Sequence, residues 1–73
     1  MRKGVVKWFD SQKGYGFVQD DDGIDIFVHW SHVDEEFRRI HGRAKLYSGQ
    51  EVLFEFIDTP RGLQVTYLKP LYF

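Results

Sequence analysis

Short apolar runs separated by turn-forming residues account for most of this chain. Each run is rich in valine, isoleucine, phenylalanine or tyrosine, and glycine, proline, aspartate or serine stands near its ends. This pattern is typical of short β-strands joined by tight turns. The sequence therefore predicts five strands, near residues 4–9, 15–19, 25–29, 51–57 and 63–68.

The turns between these strands support an all-β fold. The sequence DDDG at residues 20–23 supplies the left-handed backbone conformations that a hairpin turn requires. The sequence TPRG at 59–62 has Pro60 where its fixed φ angle favours a turn. Because closure removes the exposed edges of a sheet, we expect the strands to form a single barrel domain over residues 1–73.

The segment between the third and fourth predicted strands follows a helical pattern instead. Three apolar residues are spaced so that they share one face of a helix: Val33, Phe37 and Ile40. Ser31 is a candidate N-cap, and Gly42 is a candidate end of the helix. We expect a short helix or 3₁₀ turn over residues 31–41, followed by a loop to about residue 48.

Alternation along the strands predicts two chemically different faces, since successive side chains of a strand point in opposite directions. One face is predicted to form the core: Val18, Ile26, Val28, Val52, Phe54 and Phe56. The opposite face of the second and third strands is aromatic and polar: Tyr15, Phe17, Phe27 and His29. Lys7 and Trp8 are expected beside it. A β-bulge in the first strand would change which of its side chains point inward, so alternation alone leaves this open.

Aromatic residues make up 18% of the chain, which is more than a small core requires. A domain of this length buries only about 60% of its unfolded surface, so some of these rings are expected to stay exposed. Exposed rings interleaved with Lys and His suit one ligand in particular, because unpaired bases stack on rings and cations contact phosphates. Gly14 and Gly16 are interpreted as positions where the missing side chain lets a base approach the strand.

Charge and cysteine content exclude several classes of protein. The net charge is −1 and the isoelectric point about 6.3, so binding of duplex DNA through bulk positive charge is not expected. There is no cysteine, so neither a disulfide nor a thiolate-bound zinc ion can form. The N-terminus lacks the apolar stretch of a signal peptide and no segment is apolar enough to span a membrane. We therefore expect a cytoplasmic protein.

Five segments of the chain, in the same order, resemble the cold-shock domain family. KGVVKWF at residues 3–9 resembles the opening strand of that family, and KGYGFV at 13–18 resembles its first ribonucleoprotein motif. DIFVHWS at 25–31 resembles the second motif. GQEV at 49–52 and RGLQV at 61–65 resemble the starts of the fourth and fifth strands. The resemblance implies a five-stranded antiparallel OB-fold barrel, with a short helical turn and a long loop between strands 3 and 4.

The resemblance also implies a protein that binds single-stranded RNA and DNA, needs no cofactor or metal, and is not an enzyme. Family members act as RNA chaperones and as regulators of transcription or translation, some of them in the response to cold or stress. Because every base offers a flat face to a ring, only a modest preference for pyrimidine runs is expected.

The family's contact residues correspond to ten positions of this chain: Lys7, Trp8, Lys13, Tyr15, Phe17, Asp25, Phe27, His29, Trp30 and Arg61. Lys7, Lys13 and Arg61 are expected to hold the phosphate backbone. Asp25 is expected to accept hydrogen bonds from base edges, and the rings are expected to stack on bases.

The chain departs from the family in the connection after the third strand, which is longer by several residues. This connection usually contributes one more stacking ring, for which Phe37 is the first candidate and Tyr47 the second. Residues 38–45 carry four formal positive charges. Either they reach phosphates, or they form a solvated loop that balances the acidic residues. We expect a monomer. Because a longer connection permits exchange of strands between two chains, a strand-swapped dimer is the alternative.

Two smaller departures concern a turn and the C-terminus. Asp10 stands where the family usually has asparagine, and its charge is expected to weaken binding slightly. The sequence LYF at 71–73 is more apolar than the family ending, so it either packs on the barrel, pairs with another subunit or frays.

Three other hypotheses fit the sequence less well. A catalytic or metal site would use the carboxylates at residues 20–25 with His29 or His32, but aspartate is common in turns and no catalytic motif is present. A barrel that binds proline-rich peptides would also expose rings, but basic residues converge on these rings. A two-layer sandwich with both faces buried would need more than one short helix to cover the second face.

Overall fold

All five predicted strands form. The computed structural model describes residues 1–42 and 45–71. Its strands are β1 (Arg2–Asp10), β2 (Tyr15–Asp20), β3 (Asp25–His29), β4 (Glu51–Thr59) and β5 (Gly62–Pro70). β3 has the predicted bounds, and the other strands extend one or two residues further at one or both ends.

The strands close into a barrel in the order β1-β2-β3-β5-β4. Neighbouring strands are antiparallel except for β3 and β5, which meet in a short parallel contact at Phe27 and Gln64. The prediction of an all-β OB-fold barrel is confirmed, with this parallel contact as the one exception to its antiparallel pairing in the described residues. Closure gives each strand a neighbour on both sides, which removes the exposed edges of an open sheet.

The barrel interior is filled by the face that alternation predicts. Five of the six predicted core residues are fully buried: Val18, Ile26, Val28, Val52 and Phe54. The sixth, Phe56, is only partly buried because the register of β4 shifts just before it, and the Arg2 guanidinium lies 5.2 Å from its ring. Each fully buried side chain of this size contributes about 1.5–3 kcal/mol, so this face is the main source of stability.

A bulge in β1 decides which of its side chains face the solvent. The register of β1 against β2 shifts between Val6 and Trp8. Val6 therefore lies in the core, whereas the consecutive residues Lys7 and Trp8 are both exposed, Trp8 at 42%. The bulge settles the question that alternation leaves open, and it brings two neighbouring residues to the same outer surface.

Gly16 lies in the contact between β1 and β2. A Cβ atom at this position would stand 2.1 Å from the Trp8 carbonyl oxygen and 2.7 Å from the Cα atom of Phe9. The interpretation that Gly16 makes room for a base is therefore wrong, because β1 occupies that room. Gly14 serves the preceding turn instead, where its φ angle of 82° favours glycine.

The helical segment begins later than the sequence predicts. A 3₁₀ turn (Trp30–His32) precedes α1 (Glu35–His41), and the extended backbone of Val33 separates the two. Asp34 caps α1, since its carboxylate accepts a backbone N–H of the first helical turn at 3.0 Å. The prediction of Ser31 as the helix N-cap is wrong, because Ser31 belongs to the 3₁₀ turn.

The predicted apolar face of the helix is only partly buried. Val33 and Phe37 are in the core, whereas Ile40 is 59% exposed. Because Val33 precedes the helix, the helical spacing between Val33 and Ile40 does not apply. Gly42 ends the helix as predicted, with a φ angle of 77°.

The start of α1 is tied to β5. The Tyr67 hydroxyl donates to the Asp34 carboxylate at 2.6 Å, and the Asp34 backbone N–H donates to the Leu68 carbonyl oxygen at 2.7 Å. The hydroxyl and the helix amide hold the pKa of Asp34 below its usual range. The carboxylate, together with burial, raises the pKa of Tyr67 to about 12. These bonds fix the position of α1 against the barrel.

We expect Tyr67→Phe to lower the free energy of unfolding by about 1–2 kcal/mol, a value between those of neutral and charge-assisted hydrogen bonds. Urea unfolding at pH 7 measures this difference. Tyr47→Phe is the matched control, because the described residues offer the Tyr47 hydroxyl no hydrogen-bond partner.

The difference in free energy of unfolding between Tyr67→Phe and the native protein depends on pH. The pKa of Asp34 is lower in the folded state than in the unfolded state. The stabilisation by its hydrogen bond is therefore fully present above the unfolded-state pKa, which is near 3.9. That contribution is lost as the pH falls through the lowered folded value, so the difference should narrow below about pH 4. A difference that stays constant down to acid pH would mean that packing of the ring, and not this hydrogen bond, is affected.

We expect Gly16→Ala to destabilise the barrel by roughly 1–3 kcal/mol or more, because the new methyl group overlaps backbone atoms of β1. Gly23→Asn is the control, since the space around Gly23 is open and asparagine tolerates its φ angle of 77°. Urea unfolding compares the two variants. Equal stability of Gly16→Ala and the native protein would contradict the close approach of β1 and β2.

Candidate nucleic-acid interface

Four aromatic side chains on three adjacent strands form a continuous cluster outside the barrel. The Trp8 ring centroid lies 6.1 Å from that of Tyr15 and 5.6 Å from that of Phe17. The Phe27 centroid lies 5.9 Å from Tyr15 and 5.8 Å from Phe17, its cross-strand partner. The rings are inclined to one another at 31–77°, so none of them stacks flat on a neighbour. Parts of their faces stay open to a ligand.

His29 and Trp30 extend this cluster at the end of β3. His29 is the cross-strand partner of Tyr15, and its ring centroid lies 5.7 Å from that of Trp30. The Trp30 backbone N–H donates to the Gly14 carbonyl oxygen at 2.8 Å, which ties this corner to the turn before β2. We call the six residues together the aromatic surface: Trp8, Tyr15, Phe17, Phe27, His29 and Trp30.

The proton position of His29 follows from its neighbour. Nδ1 of His29 accepts the Ser31 backbone N–H at 3.3 Å and lies 2.8 Å from the Ser31 hydroxyl. Because Nδ1 is an acceptor, the neutral ring carries its proton on Nε2. His29 therefore combines a flat ring with one hydrogen-bond donor.

Lys7 and Asp25 form an ion pair at the margin of the aromatic surface. Lys7 Nζ lies 2.8 Å from Asp25 Oδ2, and the Gln19 side-chain amide donates to Asp25 Oδ1 at 2.8 Å. These two bonds hold the pKa of Asp25 below its usual range. Both partners are well exposed, so the pair is weak and can exchange with a ligand.

Lys13 and Arg61 stand on turns at opposite ends of the aromatic surface. The Lys13 backbone N–H donates to the Asp10 carboxylate at 2.9 Å, and the Arg61 backbone N–H donates to the Thr59 hydroxyl at 3.1 Å. Among the residues that the structure describes, neither side chain forms an ion pair. Both cations are exposed and available to an anionic ligand.

A groove of about 500 Å³ runs from the aromatic surface to the turn between β4 and β5. Phe17 and Phe27 give it two aromatic sides, and Asp25, Arg61 and Gln64 supply polar groups. The aromatic and polar groups together suit a flat, polar-edged ring such as a base.

Phe37 does not belong to this interface. Its side chain is 3% exposed and packs in the core, beneath α1. A buried ring has no face to offer a base, so the prediction of Phe37 as the additional stacking residue is wrong. The apolar character that Phe37 shares with Val33 was the correct signal, because both side chains are buried.

Tyr47, the second candidate, is 67% exposed. It begins a turn that is held against β1, where the Ser48 hydroxyl donates to the Lys7 carbonyl oxygen and the Gly49 backbone N–H donates to the Val6 carbonyl oxygen at 2.7 Å. The turn therefore sits beside the part of β1 that carries Lys7 and Trp8.

The remaining departures from the family have mixed outcomes. Asp10 holds the turn before β2, since its carboxylate accepts the backbone N–H groups of Gln12 and Lys13 at 2.9 Å. An asparagine oxygen can do the same.

Leu71 continues the pairing with β4, because its backbone N–H donates to the Glu51 carbonyl oxygen at 3.0 Å. Residues 43–44 and 72–73, which include part of the basic segment and of the apolar ending, lie outside the described residues.

The acidic residues of the second hairpin have a structural use. Asp20 is buried, and its carboxylate accepts backbone N–H groups of Asp22 and Ile24 and pairs with Arg2 at 3.1 Å. Within residues 1–42 and 45–71, no group of three or more His, Asp or Glu side chains is arranged to hold a metal ion. The helices of the same part of the chain are too short to cross a membrane.

Comparison with known proteins agrees with this geometry. The sequence model of one protein family, the 'Cold-shock' DNA-binding domain, matches residues 2–70. The chain is 46% identical over 67 residues to a cold shock-like protein of Thermotoga maritima, covering 92% of this chain and 94% of that protein. It is 44% identical over 64 residues to cold shock protein CspB of Bacillus caldolyticus, covering 88% and 89% of the two chains.

A third relative extends the match to nearly the whole chain. Cold shock protein 1 of Lactiplantibacillus plantarum is 40% identical over 70 residues, covering 96% of this chain and 98% of that protein. The chain therefore belongs to the cold-shock domain family, whose proteins bind nucleic acid and are not enzymes.

Proposed function

We propose that this cold-shock domain protein binds single-stranded RNA and DNA by stacking unpaired bases on the aromatic surface. The observation that carries this proposal is one continuous set of partly exposed rings on β1, β2 and β3, flanked by the cations of Lys13 and Arg61. The rings take bases, and Lys7, Lys13 and Arg61 contact phosphates.

The energy of stacking is sufficient for useful affinity. Each stacked base contributes roughly 1–3 kcal/mol, and a micromolar complex needs about 8 kcal/mol. Four or five stacked bases therefore reach the micromolar range without a large positive charge. The net charge of −1 fits a mode of binding in which phosphate contacts are few.

Asp25 has two uses in this proposal. It accepts hydrogen bonds from base edges in the groove beside Phe17, and it holds Lys7 until a phosphate takes its place. Since a carboxylate has about four lone-pair positions, one oxygen can serve a base while the other stays bonded to Gln19.

The biological role that we propose is that of an RNA chaperone and regulator of transcription or translation in the cytoplasm. The bases of a duplex are already stacked on each other, so the protein binds unpaired strands in preference. A ligand that binds one form shifts the equilibrium towards it, and RNA is thereby kept unpaired. Sequence preference is modest and favours pyrimidine runs. A barrel that closes within one chain supports a monomer.

We expect Phe17→Ala and Phe27→Ala each to weaken binding to oligothymidine by roughly 1–3 kcal/mol, about 5- to 150-fold. Quenching of Trp8 and Trp30 fluorescence during titration measures the affinity. Ile57→Ala is the control, because Ile57 is an exposed residue of β4 that belongs neither to the aromatic surface nor to the lining of the groove.

The duplex with oligoadenine should quench far less than the single strand. If the native protein binds neither strand at micromolar concentration, or if both phenylalanine variants bind as tightly as the native protein, stacking is not the function of these rings. A protein-binding role would then be the better hypothesis.

We also propose that Tyr47 supplies the additional ring that Phe37 cannot. Tyr47→Ser should weaken oligothymidine binding by roughly 1–3 kcal/mol, whereas Tyr47→Phe, which keeps the ring, should bind like the native protein. The same fluorescence titration compares them. Equal affinities of the serine and phenylalanine variants would remove Tyr47 from the interface.

A further inference from the structure

Arg38 of α1 lies directly over the ring of Trp30. The Cζ atom of its guanidinium is 5.4 Å from the ring centroid, a distance typical of a cation–π contact. Its Nε–H donates to the Val33 carbonyl oxygen at 3.0 Å. Two independent contacts therefore fix both the position and the direction of the guanidinium.

Within residues 1–42 and 45–71, the rest of this guanidinium has no anionic partner. Arginine has five N–H donors in a planar fork, and towards the described residues only Nε–H forms a hydrogen bond. In the described residues, no carboxylate pairs with Arg38, although Glu35 and Glu36 stand on the same helix. A half-buried guanidinium held in this way is suited to bind a phosphate through its two terminal nitrogens.

The helix that carries Arg38 is firmly placed. Its N-cap residue Asp34 is bonded to Tyr67 and to the backbone of Leu68, and Phe37 is buried in the core next to Arg38. A charge fixed before binding loses little side-chain freedom when the ligand arrives, so its contribution to affinity is larger than that of a mobile surface lysine.

Arg38 also lies where a bound strand would leave the aromatic surface. Trp30 forms the last ring of that surface, beyond His29. A base that stacks near this end of the surface brings its own phosphates close to the guanidinium, which stands over one face of the Trp30 ring.

We propose that Arg38 binds a backbone phosphate of single-stranded RNA or DNA and so extends the interface from the barrel onto α1. The proposal rests on the proposed function. Of the two hypotheses for the basic segment, phosphate contact or a solvated loop, the proposal assigns phosphate contact to Arg38. The longer connection after β3 then becomes part of the interface.

The test compares the salt dependence of binding for matched variants. Arg38→Gln removes the charge, Arg38→Lys keeps the charge but not the planar fork, and Arg39→Gln removes the neighbouring exposed charge of α1. Affinity for a fluorescently labelled oligothymidine is measured by anisotropy from low to moderate salt. Anisotropy is preferable because a substitution of Arg38 changes the immediate surroundings of Trp30, one of the two tryptophans.

Arg38→Gln should weaken binding roughly fivefold at low salt and reduce the log–log salt slope by about 0.7, the value for one phosphate of a single strand. Arg38→Lys should restore the slope, and Arg39→Gln should leave it near the native value. Lys13→Ala is the positive control, with a similar loss of slope. If Arg38 only packed against Trp30, the charge of lysine alone would not restore the native slope.

A slope that is the same for Arg38→Gln and the native protein would overturn the proposal, and so would equal losses in Arg38→Gln and Arg39→Gln. Phe17→Ala separates this failure from failure of the proposed function. If Phe17→Ala loses affinity at the native slope while Arg38→Gln keeps the native slope, stacking holds and only the role of Arg38 fails. If the native protein does not bind oligothymidine, both fail. Unchanged urea midpoints of the variants exclude unfolding as the cause.

Discussion

The barrel has a single interior, and in the described part of the chain no second layer covers the outer face of β2 and β3. Alternation puts Val18, Ile26 and Val28 inside, which forces Phe17 and Phe27 to the outside. A shift of one residue in register would exchange the two sets, so the core enforces the position of the rings. The aromatic surface therefore depends on the same strand pairing that holds the barrel together. The rings in turn stabilise this pairing through their cross-strand contacts.

The bulge in β1 sets this strict alternation aside and enlarges the surface. A regular strand would turn either Lys7 or Trp8 inward, whereas the bulge exposes both. The backbone of β1 then lies so close to β2 that only glycine fits at position 16. A residue without a side chain thus permits the strand contact that places Trp8 on the outer surface.

Much of this could be predicted from the sequence, because period-two alternation and turn residues are local signals. The strands, the core and the rings of β2 and β3 follow from them. The start of α1 does not, since Ser31 and Asp34 are both good caps and the choice is made by Tyr67 and Leu68, more than thirty residues away. The exposure of Tyr47 and the contact of Arg38 with Trp30 likewise depend on how a connection folds back, which no local pattern records.

The distribution of charge explains how a chain with a net charge of −1 can accept a polyanion. Asp20 is buried in a turn with Arg2, and Asp25 is paired with Lys7, so neither presents an unopposed negative charge to the strand. Lys13, Arg61 and Arg38 stand around the rings without carboxylate partners in the described residues. Charges more than about 8–10 Å away are largely screened at physiological salt. The electric field at a bound strand therefore depends on the arrangement of nearby charges and not on the net charge of the chain. In the proposed mode of binding, affinity comes mainly from stacking, which salt does not screen. Selectivity for unpaired strands then follows, because a duplex offers these cations its phosphates but withholds its bases from the rings.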